Sequence, residues 1–219
     1  MTVSAELNAA AVPQPAPEGV AADAPVRKRP RPGERRVQIL QTLAGMLEQP
    51  GAERVTTAAL AAKLAVSEAA LYRHFASKAQ MFEGLIEFIE SSVFTLVNQI
   101  GERESNGLVQ AQRIVAVLLQ FGERNPGMTR VMAGDALVNE NERLAARMNQ
   151  FFDRIESALR QCLRAAAEAA GSETPSVAAN AQASVLVSFI AGRLHRYARS
   201  GFKRAPTEHL DAALRLLLA

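Results

Sequence analysis

From Gly33 to the end of this 219-residue chain, apolar residues recur at steps of three and four, and no segment shows the two-residue alternation of a strand. That regularity restricts the ordered part to an all-α fold, because a face repeating every 3.6 residues is buried along one side of a helix. It predicts nine helices. The first covers about Glu34–Glu48, with Val37, Leu40, Ala44 and Leu47 on one face, and Pro50-Gly51 closes it. A second opens at Thr56 or Thr57 and buries Leu60 and Leu64, and a third starts after Ser67, a good N-cap. The fourth opens at Ser77, where Ser77-Lys78-Ala79-Gln80 reads as a capping box, and runs to about Arg103. Asn106-Gly107 is a break. A fifth helix follows over about Leu108–Arg124, stopped by Asn125-Pro126-Gly127, and then a short sixth around Met128–Ala133. The seventh runs from about Asn139 to Ala170 along a seam of Leu144, Met148, Phe151, Ile155, Leu159 and Leu163. Thr174 as cap and Pro175 as first residue introduce an eighth over about Ser176–Ser200, and Pro206-Thr207 opens a last helix to about Leu218.

Composition removes several classes of function. One cysteine, Cys162, forbids an intramolecular disulfide framework, and three widely spaced histidines do not make a metal centre. No nucleophile elbow, Gly-rich phosphate loop or metal-ligand spacing is present, so neither an enzyme nor a cofactor is expected. Apolar runs such as Ile114–Leu119 and Val185–Ile190 fall well short of the roughly 20 residues that span a bilayer, and the N-terminus does not read as a signal peptide, so the expected compartment is the cytoplasm. Residues 1–32 form an Ala/Pro-rich tail in which prolines break any helix, and it reads as disordered. Its end is basic, Arg27-Lys28-Arg29-Pro30-Arg31 continuing to Arg35-Arg36, and reads either as a solvated linker or as an arm lying along phosphates.

The informative stretch is Val55–Phe75, VTTAALAAKLAVSEAALYRHF. Leu60 and Leu64 lie one turn apart on a short helix, Ala65-Val66 interrupts, and Ser67 restarts. Ala70, Leu71 and Phe75 then pack back against Leu60, Leu64 and the first helix, leaving Glu68, Ala69, Tyr72 and Arg73 facing outward. Two short helices joined by a tight turn form a helix-turn-helix unit, and small outward side chains let the second helix enter a major groove. Thr56 and Thr57 sit at a helix N-terminus, where hydroxyl and N–H groups suit a phosphate. Tyr72, His74 and Lys78 lie on the far side, placed to grip the other strand. An αα-hairpin without nucleic acid is the plain alternative.

The pattern Thr-Thr-x-x-Leu-Ala-x-x-Leu-x-Val-Ser-x-x-x-Leu-Tyr-x-His-Phe-x-Ser-Lys, from Thr56 to Lys78, resembles the DNA-binding signature of the TetR family. The resemblance implies a helix-turn-helix domain over residues 33–93 (motif 56–75), a helical dimerisation and partner-binding domain over 94–219, and a homodimer that places two recognition helices on a double-stranded DNA palindrome. The DNA contacts it implies are Thr56, Thr57, Ser67, Glu68, Ala69, Ala70, Tyr72, Arg73, His74 and Lys78. One departure is Ala65, which stands where the family usually has Gly; a left-handed conformation there costs Ala of order 1 kcal/mol.

Ser67–Phe75 (SEAALYRHF), Leu85–Glu90 (LIEFIE) and Phe121–Gly127 (FGERNPG) also resemble the nucleoid occlusion factors within that family. That likeness implies palindromes dispersed over the chromosome and, once DNA is bound, engagement of the tubulin-like division protein FtsZ. Phe88, Arg124 and Asn125 are its candidate contacts. A helix end, with Arg124 favouring the dipole and Asn-Pro-Gly making the turn, explains the same residues without a partner. The competing function is a ligand-released transcriptional repressor. Asp135, Asn139, Arg193 and His195 are the sparse polar candidates for lining its cavity, and they give no positive sign of an inducer. Val185, Leu186, Phe189, Ile190 and Leu194 on helix eight, with Leu210, Leu214, Leu217 and Leu218 on helix nine, are expected to form a two-fold four-helix bundle.

Overall fold

A computed structural model describes residues 33–49, 55–138 and 140–218. The tail 1–32 with most of its basic run, Pro50-Gly51 and Asn139 lie outside the described residues. The described chain folds into α1 (Glu34–Leu47), α2 (Thr57–Lys63), α3 (Glu68–Tyr72), α4 (Lys78–Arg103), α5 (Gly107–Arg124), α6 (Pro126–Met132), α7 (Glu142–Ala169), α8 (Pro175–Arg199) and α9 (Leu210–Leu217), with a 3-10 turn at Asp135–Leu137. No strand occurs among the described residues.

Local chemistry sets most of these ends. The Thr56, Ser67 and Ser77 hydroxyls accept from the Ala59, Ala70 and Gln80 N–H groups, each at 3.2 Å. The capping box at Ser77 reaches one residue further back than its usual form, the Gln80 side chain accepting from the Ala76 N–H at 2.9 Å. Asn106 caps α5 and Asn141 caps α7 through their side-chain oxygens. Thr174 makes no side-chain cap; Pro175 alone sets the start of α8. The last helix begins at Leu210 rather than Pro206, because the turn before it is drawn into tertiary contacts. The Arg193 Nη1 donates to the Glu208 carbonyl at 2.9 Å, and the Thr207 hydroxyl donates to the Glu123 carboxylate.

The seam of α7 is buried at all six of its positions, against α5, α4 and α8. In α1 the buried stripe is Ile39, Leu43, Ala44 and Leu47, and Val37 is 53% exposed, so the expected face is rotated by part of a turn. On α8 the expected single apolar face divides. Leu186, Ile190 and Leu194 are buried within the chain, whereas Val185 is exposed and Phe189 half-buried. By length and composition alone α8 is apolar enough to cross a bilayer, but its Leu186, Ile190, Leu194 and Tyr197 side chains are buried within the chain.

The first three helices and the start of α4 form one end of the hydrophobic core, with Leu60, Leu71, Phe75, Phe82 and Leu85 at its centre. It is tied to the rest by α6, which packs across α1. A Cβ on Gly127 would lie 2.2 Å from the Ala44 carbonyl oxygen, so the two backbones touch at a distance only glycine allows.

Candidate nucleic-acid interface

Two caps and a left-handed turn build the motif. Thr56 is exposed at the head of α2; its oxygen is engaged with the Ala59 N–H, which leaves the hydroxyl proton free to donate to a phosphate. The Thr57 hydroxyl donates to Glu68 Oε2 at 2.6 Å, locking the head of α2 to that of α3. Between them the Val66 N–H reaches the Ala61 carbonyl and the Ala65 N–H the Ala62 carbonyl, a Schellman ending to α2. Ala65 accordingly sits at φ 52, the conformation expected of the family's glycine. Ala65→Gly is expected to raise stability by roughly 0.5–1 kcal/mol, or about 1–4 °C in thermal melting, with DNA affinity unchanged. A fall in melting temperature would mean that the turn is not strained.

On α3 and the turn that follows it, Leu71 and Phe75 are buried in that end of the core, and Glu68, Ala69, Arg73 and His74 are exposed, with Tyr72 45% exposed. Ser67 spends its hydroxyl oxygen on the cap, and Ala70 is half-buried where α3 rests on α2. The outer face is thus polar and small, bordered by an aromatic hydroxyl and an arginine, with the Thr56 hydroxyl across the turn. A face of this kind fits into a major groove while hydroxyls and cations hold the phosphates on either side.

Arg36 holds this face in place. Its Nη1 donates to the His74 carbonyl at 2.5 Å and its guanidinium stacks 4.1 Å from the Phe75 ring centroid. In the sequence Arg36 is only the last cation of a basic run; a contact 38 residues away leaves no local signal. Lys78 also does more than its position suggests, since its ammonium is ion-paired with Glu140, in the segment that leads into α7.

The corner between α5 and α6 divides the three candidate partner contacts. Arg124 is exposed at the end of α5. Asn125 is only 5% exposed, and its Nδ2 donates to the Phe121 carbonyl at 2.8 Å, so it shapes the corner and offers little surface to a partner. Phe88 is half-buried, its ring 6.3 Å from that of Phe121. Beside them the Tyr197 hydroxyl donates to the Glu123 carbonyl at 3.1 Å. Burial pushes the Tyr197 phenol up, helped by the Glu123 and Glu48 carboxylates. Burial likewise raises the Glu48 carboxyl, opposed by the Gly127 N–H and by Lys63. The ends of α1, α5 and α8 therefore meet at one junction. Of the polar cavity candidates, His195 and Asp135 lie 4.0 Å apart, whereas Arg193 is turned to the Glu208 carbonyl.

Comparison with known proteins agrees with this geometry. Residues 39–85 match the family described as bacterial regulatory proteins, tetR family, and residues 105–219 match the SlmA-like form of the tetracyclin repressor-like C-terminal domain. The nucleoid occlusion factor SlmA of Idiomarina loihiensis is 52% identical over 180 residues, which is 81% of this chain and 90% of that protein. SlmA of Vibrio cholerae is 51% identical over 186 residues, covering 84% of this chain and 94% of its own length. Among solved structures, the fatty acid degradation regulator FadR of Bacillus halodurans superposes with a TM-score of 0.69 at 14% identity, covering 85% of this chain and 96% of its own. The Bacillus subtilis FadR, solved with stearoyl-CoA, gives 0.66 at 12% identity, covering 83% of this chain and 97% of its own; at such identities the likeness is one of fold. With about half of the aligned positions identical across nearly the full length of those relatives, the chain belongs to the SlmA nucleoid occlusion factors of the TetR family.

Proposed function

We propose that two copies of this chain bind palindromic chromosomal sites and, when DNA-bound, engage FtsZ and block division-ring assembly over the nucleoid. The observation that carries the reading is the exposed polar face of α3 beside the Thr56 hydroxyl, on a chain half-identical to proteins named as nucleoid occlusion factors. Residues 33–93 act as the DNA-binding unit and 94–219 as the dimerisation and partner-binding unit. The helix α4 runs unbroken across that boundary and joins the two. The protein works as a regulator and not as an enzyme, in the cytoplasm at the nucleoid.

Dimerisation accounts for the surface that α8 and α9 leave open. Ala181, Ser184, Val185, Ser188 and Gly192 are exposed along one side of α8 at helical spacing, and Leu216 on α9 is 82% exposed. Small residues let a second α8 approach closely, and covering the apolar ones removes them from water.

Thr56→Ala and Tyr72→Ala should each weaken DNA binding about threefold to tenfold, on cognate and scrambled duplexes alike, because both side chains address phosphate. Fluorescence anisotropy with labelled duplexes measures this, and unchanged affinity in both variants would remove the groove-docking geometry. The test of the function as a whole is sedimentation of GTP-assembled FtsZ with purified protein, with and without a cognate palindrome. Loss of pelleted polymer that requires specific DNA is expected. No effect on FtsZ, together with release of DNA by a small apolar compound, would make the chain a ligand-controlled repressor instead.

A further inference from the structure

We propose that Glu140 is an internal stand-in for DNA phosphate: in the free protein it occupies Lys78, and DNA must displace it to bind. This rests on the reading of Lys78 as a phosphate contact. Lys78 is the first residue of α4, and its ammonium sits 5.7 Å from the Phe82 ring centroid in a partly enclosed position. The Glu140 carboxylate pairs with it across 62 residues of sequence, and the two side chains are only 27% and 13% exposed. A carboxylate and a phosphate oxygen make the same demand on an ammonium, so the two anions compete for one cation.

Neighbouring pairs explain why Glu140 is not needed to hold the helices together. Glu83 and Glu90 on α4 meet Arg143 and Arg147 on α7 at 2.8 and 2.6 Å. These two pairs place the acid on α4 and the base on α7. The Lys78–Glu140 pair has the opposite polarity, and its effect is to neutralise a cation of the recognition unit with an anion from the segment leading into α7. DNA binding thereby carries a fixed cost, the loss of that pair, and frees Glu140 and the segment around it. By linkage, anything that binds so as to hold this segment against Lys78 weakens DNA binding by the factor by which DNA weakens its own binding.

The test is a double-mutant cycle with Glu140→Gln, Lys78→Gln and the two combined, in the full chain. Binding is read by anisotropy against a palindromic duplex recovered by selection from genomic fragments, and folding by thermal melting. Glu140→Gln is expected to tighten binding about threefold to fivefold. Lys78→Gln is expected to weaken it, and Glu140→Gln is expected to change nothing once Lys78 is gone. If Lys78→Gln weakens binding but Glu140→Gln is neutral, or tightens it equally in both backgrounds, the competition is refuted while Lys78 keeps its role at the phosphate. If Lys78→Gln leaves affinity unchanged, the phosphate reading of Lys78 fails and the competition falls with it.

Discussion

Replacing Gly127 with alanine is expected to destabilise the protein by about 3 kcal/mol, a fall of roughly 6–12 °C in melting temperature. The added methyl would lie 2.2 Å from the Ala44 carbonyl oxygen and 2.9 Å from its carbon, both backbone atoms of α1. Neither helix can yield locally. Ala44 is flanked by the buried Leu43 and Leu47, and Gly127 is followed on α6 by Met128, which is buried too. The remedy is a rigid shift of α6 away from α1, which opens the joint between the DNA-binding helices and the rest. The Glu48 carboxyl, which the Gly127 N–H favours in its charged form, loses that support in the same movement. DNA affinity should therefore drop along with stability. A melting temperature within about 2 °C of the wild type would mean that α6 does not clamp α1.

Arg124→Asp is expected to abolish the DNA-dependent effect on FtsZ while leaving DNA affinity within about twofold. Arg124 is exposed on the last turn of α5 and makes no ion pair with the described residues, so reversing its charge breaks nothing inside the chain. The backbone of the corner is held by other groups: Asn125 Nδ2 on the Phe121 carbonyl, and the Thr129 hydroxyl on the Gly122 carbonyl at 2.8 Å. An acidic side chain at a helix C-terminus costs a few tenths of a kcal/mol, too little to unfold the end of α5. Polymer sedimentation and duplex anisotropy on the same preparation separate the two functions. Survival of both would move the docking edge elsewhere on the surface, and loss of both would tie the corner to DNA binding.

The parts of the fold that were legible in the sequence are those whose cause is local. The α7 seam, the caps at Ser67 and Ser77 and the break at Asn106-Gly107 each follow from a few adjacent residues, whereas the left-handed Ala65 was implied only by the family resemblance. What stayed hidden depends on distant neighbours. Val37 has the spacing of a core residue on α1, but α4 and α6 approach from the side of Ile39 and Leu43. Periodicity gave α8 one apolar face, whereas α5, α6 and α7 together bury Leu186, Ile190 and Leu194 and leave Val185 to the outside. The delayed start of α9 is imposed by Arg193 and Glu123, on two other helices. At the interface, the outward face of α3 could be read from spacing. The support from Arg36 and the pairing of Lys78 with Glu140 could not, because charge runs look alike whether solvated or engaged.

The most direct test of the central claim, that paired α3 helices read an inverted repeat, is the mass of the complex in solution. Purified full-length chain is titrated at low ionic strength onto an inverted-repeat duplex selected from chromosomal fragments, and the complex is weighed by light scattering. Expected is an even number of chains per duplex, with binding to a scrambled duplex of equal length far weaker. A single chain on the duplex, or equal affinity for both sequences, would contradict it.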